Sequence, residues 1–410
     1  MIFFFFYLSI NFSFEKYIKL TFHSNNLNSK NDFPENYIHN DIYIDIPFGT
    51  PEQIIPLNIR LQSYLTFITS EDFKEGNIKK FSYNSSLTFL KLMKSKYRFA
   101  GREYIEGIKV SDTIKLGNLK IEGFQFVLMN NISYLQSGIL GLSLKENHDS
   151  MKETSLIHQL KKQNFIPSYA FSLKYSNNEN GELIIGEYPH NYNKNFLENN
   201  FVYMKSGVKG SLINWLIDFD DIYYNNLRIK GNKKVLLKIE FGFIIGTKEF
   251  FDVIQNEYFN KNNNCKLNTY DNMYKYYICD KHIDIKNFQL VSFGLKDIKY
   301  SFNFTGNDLF FELNDKKYFL IFFRVNNTKD DDWVFGKPFF QKNFLVFDSD
   351  RKIIGMYLKN NNNINSSINT ILVYFFGIII IILILYIFLY LRKKKMFRSK
   401  RLNELELLLE

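Results

Sequence analysis

A mostly-β body of sandwich or barrel class, followed by one C-terminal transmembrane helix, is the architecture this sequence predicts. Three observations lead there. Asp41-Ile42-Tyr43-Ile44-Asp45-Ile46 alternates polar and apolar residues, the period of a half-buried strand. Two segments have the plan strand, two-residue turn, strand: Ile114–Glu122 about Gly117-Asn118, and Ile222–Ile229 about Asn225-Asn226. Finally, the 21 residues from Ile371 to Leu391 carry no charge, and a basic run follows them.

Composition allows a large folded body. The chain has 410 residues, 18% of them aromatic, which excludes wholesale disorder and a collagen-like repeat. Two Cys are too few for a disulfide framework or a Cys-rich metal cluster. The formal net charge of +10 has a local source, because Arg392, Lys393, Lys394, Lys395, Arg398, Lys400 and Arg401 crowd the C-terminal tail. Nucleic-acid binding is therefore not needed to explain the charge.

Both ends point to a membrane. Residues 1–15 include the apolar run Ile2–Ile10, closed by Glu15-Lys16, and fit a secretory signal peptide; a buried strand is the other reading. At about 1.5 Å per residue, a helix over 370–391 crosses a hydrocarbon core of about 30 Å. The basic residues of 392–410 then lie on the cytoplasmic side. Residues 359–369, rich in Asn and Ser, read as a polar stalk. The expectation is a single-pass type I protein of the secretory pathway or cell surface, with its body lumenal or extracellular. That oxidising setting favours a disulfide between Cys265 and Cys279. Asn84, Asn131, Asn303, Asn326 and Asn365 each begin an Asn-x-Ser/Thr acceptor.

Helices are few. Ser155–Gln163 places Leu156, Ile157 and Leu160 on one face, and Thr247–Ile254 has Thr247 as N-cap before Phe250, Phe251 and Ile254. A faint duplication is also legible. In each half a strand and a hairpin lead to an apolar-apolar-Gly step, Ile139-Leu140-Gly141 and Val334-Phe335-Gly336.

These residues resemble the pepsin-type aspartic protease family. Tyr43–Gln53, with Gly49-Thr50-Pro51-Glu52-Gln53, is similar to its first strand and turn. Gly101, Gly107 and Asp112 have the spacing of its flap hairpin, and Ser137–Leu142 resembles its Asp-Gly-Ile-Leu-Gly-Leu. Tyr169–Leu173, Gly181–Gly186, Trp333–Phe339 and Phe344–Asp348 resemble later family segments in the right order. The resemblance implies a bilobal double β-barrel with a central cleft, an N-terminal lobe over 38–190 and a C-terminal lobe over 191–358. It also implies a disulfide where Cys265 and Cys279 stand.

Aspartic proteolysis needs two carboxyl groups about 3 Å apart that share one proton. Counting seven residues from Gln53 puts Arg60 where the family has its first Asp, with Arg60-Leu61-Gln62-Ser63 replacing Asp-Thr-Gly-Ser. Arg60 is a permanent cation without an acceptor and cannot serve as a general base. In the second half, Lys238-Ile239-Glu240-Phe241-Gly242 resembles x-Val-Asp-Thr-Gly, which aligns Glu240 with the second Asp. An Arg60–Glu240 ion pair across the lobes is expected; the other reading has the two pointing apart into solvent. The flap Tyr falls near Ala100, next to Gly101, unless a small shift brings in Tyr97.

Other motifs add little. The six His have no zinc-binding spacing, and His158 reads as a surface residue of a short helix. Asp330-Asp331-Asp332 reads as a solvated loop rather than a cation site. No metal or cofactor is expected. The functional expectation is a membrane-anchored, catalytically inactive aspartic protease homologue that binds a polypeptide or protein partner through its cleft or surface. The alternatives are an active endopeptidase with an atypical dyad and a structural ectodomain of a membrane complex.

Overall fold

The computed structural model describes residues 17–24, 41–74, 78–99, 103–131, 137–144, 154–207, 214–230, 233–262, 264–295, 298–325, 332–358, 375 and 377–395. Strands dominate. Among the described residues they form three sheets.

The largest sheet joins the two halves. Its centre is two hairpins, Ala170–Tyr175 with Asn180–Ile185 and Leu345–Asp348 with Ile353–Tyr357. They pair back to back, with Phe171 opposite Phe347. Those two rings stack at 4.9 Å, and Trp215 packs edge-on against Phe347 at 4.9 Å. Ile18–Ser24 flanks this unit on one side and Phe201–Lys205 on the other. Because both halves contribute to one sheet, the described residues up to Tyr357 belong to one compact unit. Folded structure also begins earlier than residue 38. Ile18–Ser24 pairs with Asn180–Ile185 and Ile42–Phe48, and its alternating burial marks a strand with one face in the core.

From Ile42–Phe48 the same sheet continues through Gln53–Arg60, Gly138–Gly141, Phe67–Thr69, Leu119–Asn131, Glu103–Leu116 and Leu90–Phe99. Phe48 pairs back onto Ile114, which closes a barrel. Both expected two-residue hairpin turns form. Gly117 and Asn225 take up positive φ, 57° and 55°, a backbone shape that Gly and Asn tolerate best.

The second half has two sheets. One runs Leu216–Asp218, Lys234–Leu237, Trp333–Phe335, Ile244–Gly246, Ile321–Arg324, Tyr274–Asp280, Lys316–Phe319 and Phe310–Leu313. The other is Leu227–Ile229, Asp221–Tyr224, Val291–Leu295 and Tyr300–Phe304. The disulfide forms between Cys265 and Cys279, which face each other across the Cys265–Tyr270 and Tyr274–Asp280 hairpin. The expected helices are Leu156–Lys162 and Lys248–Glu257. Thr247 caps the second by accepting from the Phe250 N–H at 3.4 Å.

Leu358–Glu410 is a separate unit, whose described part is helical over 377–395. Among the described residues no helix is long and apolar enough to cross a membrane. The expected span loses part of its length here, since 371–374 and 376 lie outside the described residues and Arg392 to Lys395 close the helix. Residues 1–15, the stalk at 359–369 and the end of the tail also lie outside them. So do Asn326 and Asn365, whereas Asn84 and Asn303 are exposed and Asn131 ends a strand.

Candidate functional site

The site is built from two strand ends and the turns that follow them. In the first half, Gln53–Arg60 lies antiparallel to Ile42–Phe48 with Tyr43 opposite Asn58. Extending that register sets Asp41 opposite Arg60, and the two form an ion pair, Nη2 to Oδ1 2.9 Å. After Arg60 the chain turns through Leu61 to Thr66. Arg60 O accepts from Leu142 N–H at 2.9 Å, and Ser63 O accepts from Ser143 N–H at 2.9 Å. Gly141 fits beneath this turn because it has no side chain: a Cβ there would sit 2.4 Å from Leu65 O and 2.5 Å from Ser63 O.

The second half repeats this plan. Lys234–Leu237 runs parallel to Trp333–Phe335, with Leu236 opposite Val334. In the first half the corresponding pair is Asn58 and Ile139. A Cβ on Gly336 would lie 2.2 Å from Phe243 O and 2.3 Å from Phe241 O. Further along, Ile245 pairs with Val334 as Phe67 pairs with Ile139. Strand pairing, glycine contact and the following strand all give the same shift of 178 residues between 58–67 and 236–245. Lys238 is thus the counterpart of Arg60, Ile239 of Leu61, and Glu240 of Gln62.

This corrects two expectations. Glu240 does not stand opposite Arg60 in the repeat; it lies two residues further on, inside the turn. The expected Arg60–Glu240 ion pair is also not formed, since Arg60 faces its cross-strand neighbour Asp41. Glu240 is buried, and its Oε2 has no hydrogen-bond partner among the described residues.

Lys238 is the residue that sequence reasoning missed. It is partly buried, and its Nζ lies 4.9 Å from the centre of the Phe241 ring. Burial pulls its ammonium below the ordinary lysine value. The Glu240 carboxylate opposes that shift, while Arg60 and Arg324 add to it by repulsion. The halves also touch here through Gln62, whose Nε2 reaches Leu237 O at 3.5 Å, and more firmly through Trp215, whose Nε1–H donates to Leu142 O at 2.8 Å.

The expected flap is a hairpin of Leu90–Phe99 and Glu103–Leu116, with Phe99 opposite Glu103. Ala100 and Gly101 lie outside the described residues. Tyr97 pairs with Ile105 in the hairpin ladder. Gly107 has a packing role, since a Cβ there would meet Val127 Cγ1 at 2.6 Å. Asp112 is buried at the hairpin base and accepts from Thr88 Oγ1 and from Thr113 N–H. His158 is only partly exposed, with its ring stacked on Tyr169. Asp332 is buried rather than solvated, and its backbone O accepts from Arg324 Nη1 at 3.0 Å; Asp330 and Asp331 lie outside the described residues.

A family model of eukaryotic aspartyl proteases matches residues 42–358, well over half of the chain. No curated protein matches it. The closed barrel, the repeated strand-and-glycine plan and this match agree: the chain belongs to the eukaryotic aspartyl protease family.

Proposed function

We propose that this protein is a membrane-anchored, catalytically inactive member of its family that holds a polypeptide or protein partner through the cleft between its halves or through its surface. One observation carries the reading. The two strand ends that the repeat makes equivalent bear Arg60 and Lys238. Family chemistry needs a carboxylate to take a proton from water and a carboxylic acid to donate to the scissile carbonyl, with one proton shared between them. A guanidinium cannot accept that proton, and two cations cannot share one in this way. Glu240 holds a carboxyl group, but in the turn rather than at the strand end, and catalytic geometry tolerates only about 0.5 Å of displacement.

The anchor rests on the sequence. Ile371–Leu391 is uncharged and the basic residues of 392–401 follow it, which orients the body toward the lumen or the exterior and the tail toward the cytosol. The exposed acceptors Asn84 and Asn303 and the Cys265–Cys279 disulfide suit that compartment.

The test is a peptide library incubated with the purified full chain in detergent between about pH 4 and 7, where a dyad of the pepsin kind begins to lose its shared proton at about 4.7. The expected result is saturable peptide binding with no cleavage products by mass spectrometry. Cleavage abolished by a statine-type inhibitor contradicts the reading in favour of an active endopeptidase. Neither cleavage nor binding favours a structural ectodomain.

A further inference from the structure

We propose that Lys238 is the recognition residue of the junction between the halves, and that the polypeptide held there is acidic, with a side-chain carboxylate docking on the Lys238 ammonium. The inference rests on the polypeptide-binding reading above and adds the chemistry of the ligand.

The geometry sets Lys238 apart from Arg60. Arg60 is engaged by Asp41 at 2.9 Å, its neighbour across the strand pair. No carboxylate among the described residues lies within ion-pair distance of Lys238 Nζ, whose described neighbour is the Phe241 ring at 4.9 Å. An aromatic face attracts an ammonium but replaces little of the hydration lost on burial. Glu240, the acid nearest in sequence, is buried in the turn, where its charge acts on Lys238 from outside contact distance. Arg60 and Arg324 add positive charge on the same side of the balance. A partly exposed cation in such a setting is reachable, under-solvated and weakly screened, so an incoming carboxylate gains more there than at an open surface. A neutral amide of the same shape gains little.

Position strengthens the argument. Lys238 directly follows the strand Lys234–Leu237, at the point related by the internal repeat to Arg60, and its neighbour Leu237 receives the Gln62 contact from the other half. A chain lying between the halves therefore passes it. Lysine is a compact point charge with three donors, suited to one carboxylate at varied angles.

The experiment uses the full-length protein in detergent and fluorescent peptides made in matched pairs, identical except that Asp and Glu in one member are Asn and Gln in the other. Binding is read by anisotropy at low and high salt. The expected result is that acidic members bind about tenfold more tightly than their amide partners, the value of one charged hydrogen bond. Lys238→Met should erase that difference, and Lys238→Arg should retain most of it. If Lys238→Met does not fold, the wild-type acid-to-amide ratio and its loss in high salt still decide. Binding without acidic preference, or a preference that survives in Lys238→Met, overturns this inference and leaves polypeptide binding standing. No binding by either peptide class overturns both.

Discussion

Replacing Gly336 with Ala tests the repeat that defines the site. The new Cβ would lie 2.2 Å from Phe243 O and 2.3 Å from Phe241 O, where ordinary contact begins at 3.4 Å. Each carbonyl would have to retreat by about 1 Å, and Phe241 O already accepts from Lys337 N–H at 2.7 Å. Neither oxygen is the free end of a flexible side chain, so relief requires moving the turn itself. Overpacking of this kind costs about 3 kcal/mol or more. Gly141→Ala should behave alike, since its Cβ would meet Leu65 O at 2.4 Å and Ser63 O at 2.5 Å. Gly117 is the control. It has a φ of +57° and no neighbour within 4 Å, so Ala there should cost only backbone strain, about 1 kcal/mol. The assay is urea unfolding of the three variants, followed by tryptophan fluorescence. A loss below about 1 kcal/mol at Gly336 or Gly141 would refute the packing argument, and a large loss at one alone would refute their equivalence.

Three further outcomes follow from the contacts. Trp215→Phe removes the donor to Leu142 O and leaves a buried carbonyl unpaired, so urea unfolding should show a loss of about 2 kcal/mol. A double-mutant cycle on Arg60→Ala and Asp41→Ala should give a coupling below about 1 kcal/mol, because both side chains retain solvent contact; a much larger value would mean that the pair is tighter than its exposure implies. Lys337 is buried, and burial lowers its pKa from 10.5 to about 8, a change that Glu179 opposes. Between those values the unfolded chain holds a proton that the folded chain lacks, so stability should rise with pH from about 8 to 10. Buried tyrosines such as Tyr224 and Tyr277, pushed up to about 12 by burial, reverse the trend above 10. Stability curves for wild type and Lys337→Met should diverge by about 2 kcal/mol over that window, and parallel curves would contradict the assignment.

The parts of this fold written in local patterns were legible in the sequence. Gly117-Asn118 and Asn225-Asn226 announce hairpins because two-residue turns need residues that accept positive φ. Thr247 announces a helix because its hydroxyl can accept from the first turn. What stayed hidden depends on pairing between distant segments. Ile18–Ser24 alternates apolar and polar residues as a strand does, but its place in the sheet comes from Asn180–Ile185, far along the chain. Asp41 meets Arg60 only because the register sets Tyr43 against Asn58.

The error at Glu240 is more instructive. An acid followed by Gly242 drew the family motif onto Glu240, whereas backbone pairing counts from Leu236 and Val334 and arrives at Lys238. A signal was available. Laying 59–67 over 237–245 without a gap aligns Ile59 with Leu237, Leu61 with Ile239, Leu65 with Phe243 and Phe67 with Ile245, all of them buried. Matching the two halves to each other, rather than each to a family pattern, finds the second cation.

The most direct measurement compares two inhibitors that differ by one hydroxyl. A statine-containing peptide places its hydroxyl where a carboxyl dyad binds the tetrahedral species, and its deoxy analogue has nothing there. Calorimetry with the wild-type protein should find the statine peptide bound no more tightly than the analogue, because Arg60 and Lys238 stand at the equivalent positions of the two halves. A statine peptide favoured by a hundredfold or so would show a working pair of acids and contradict the account.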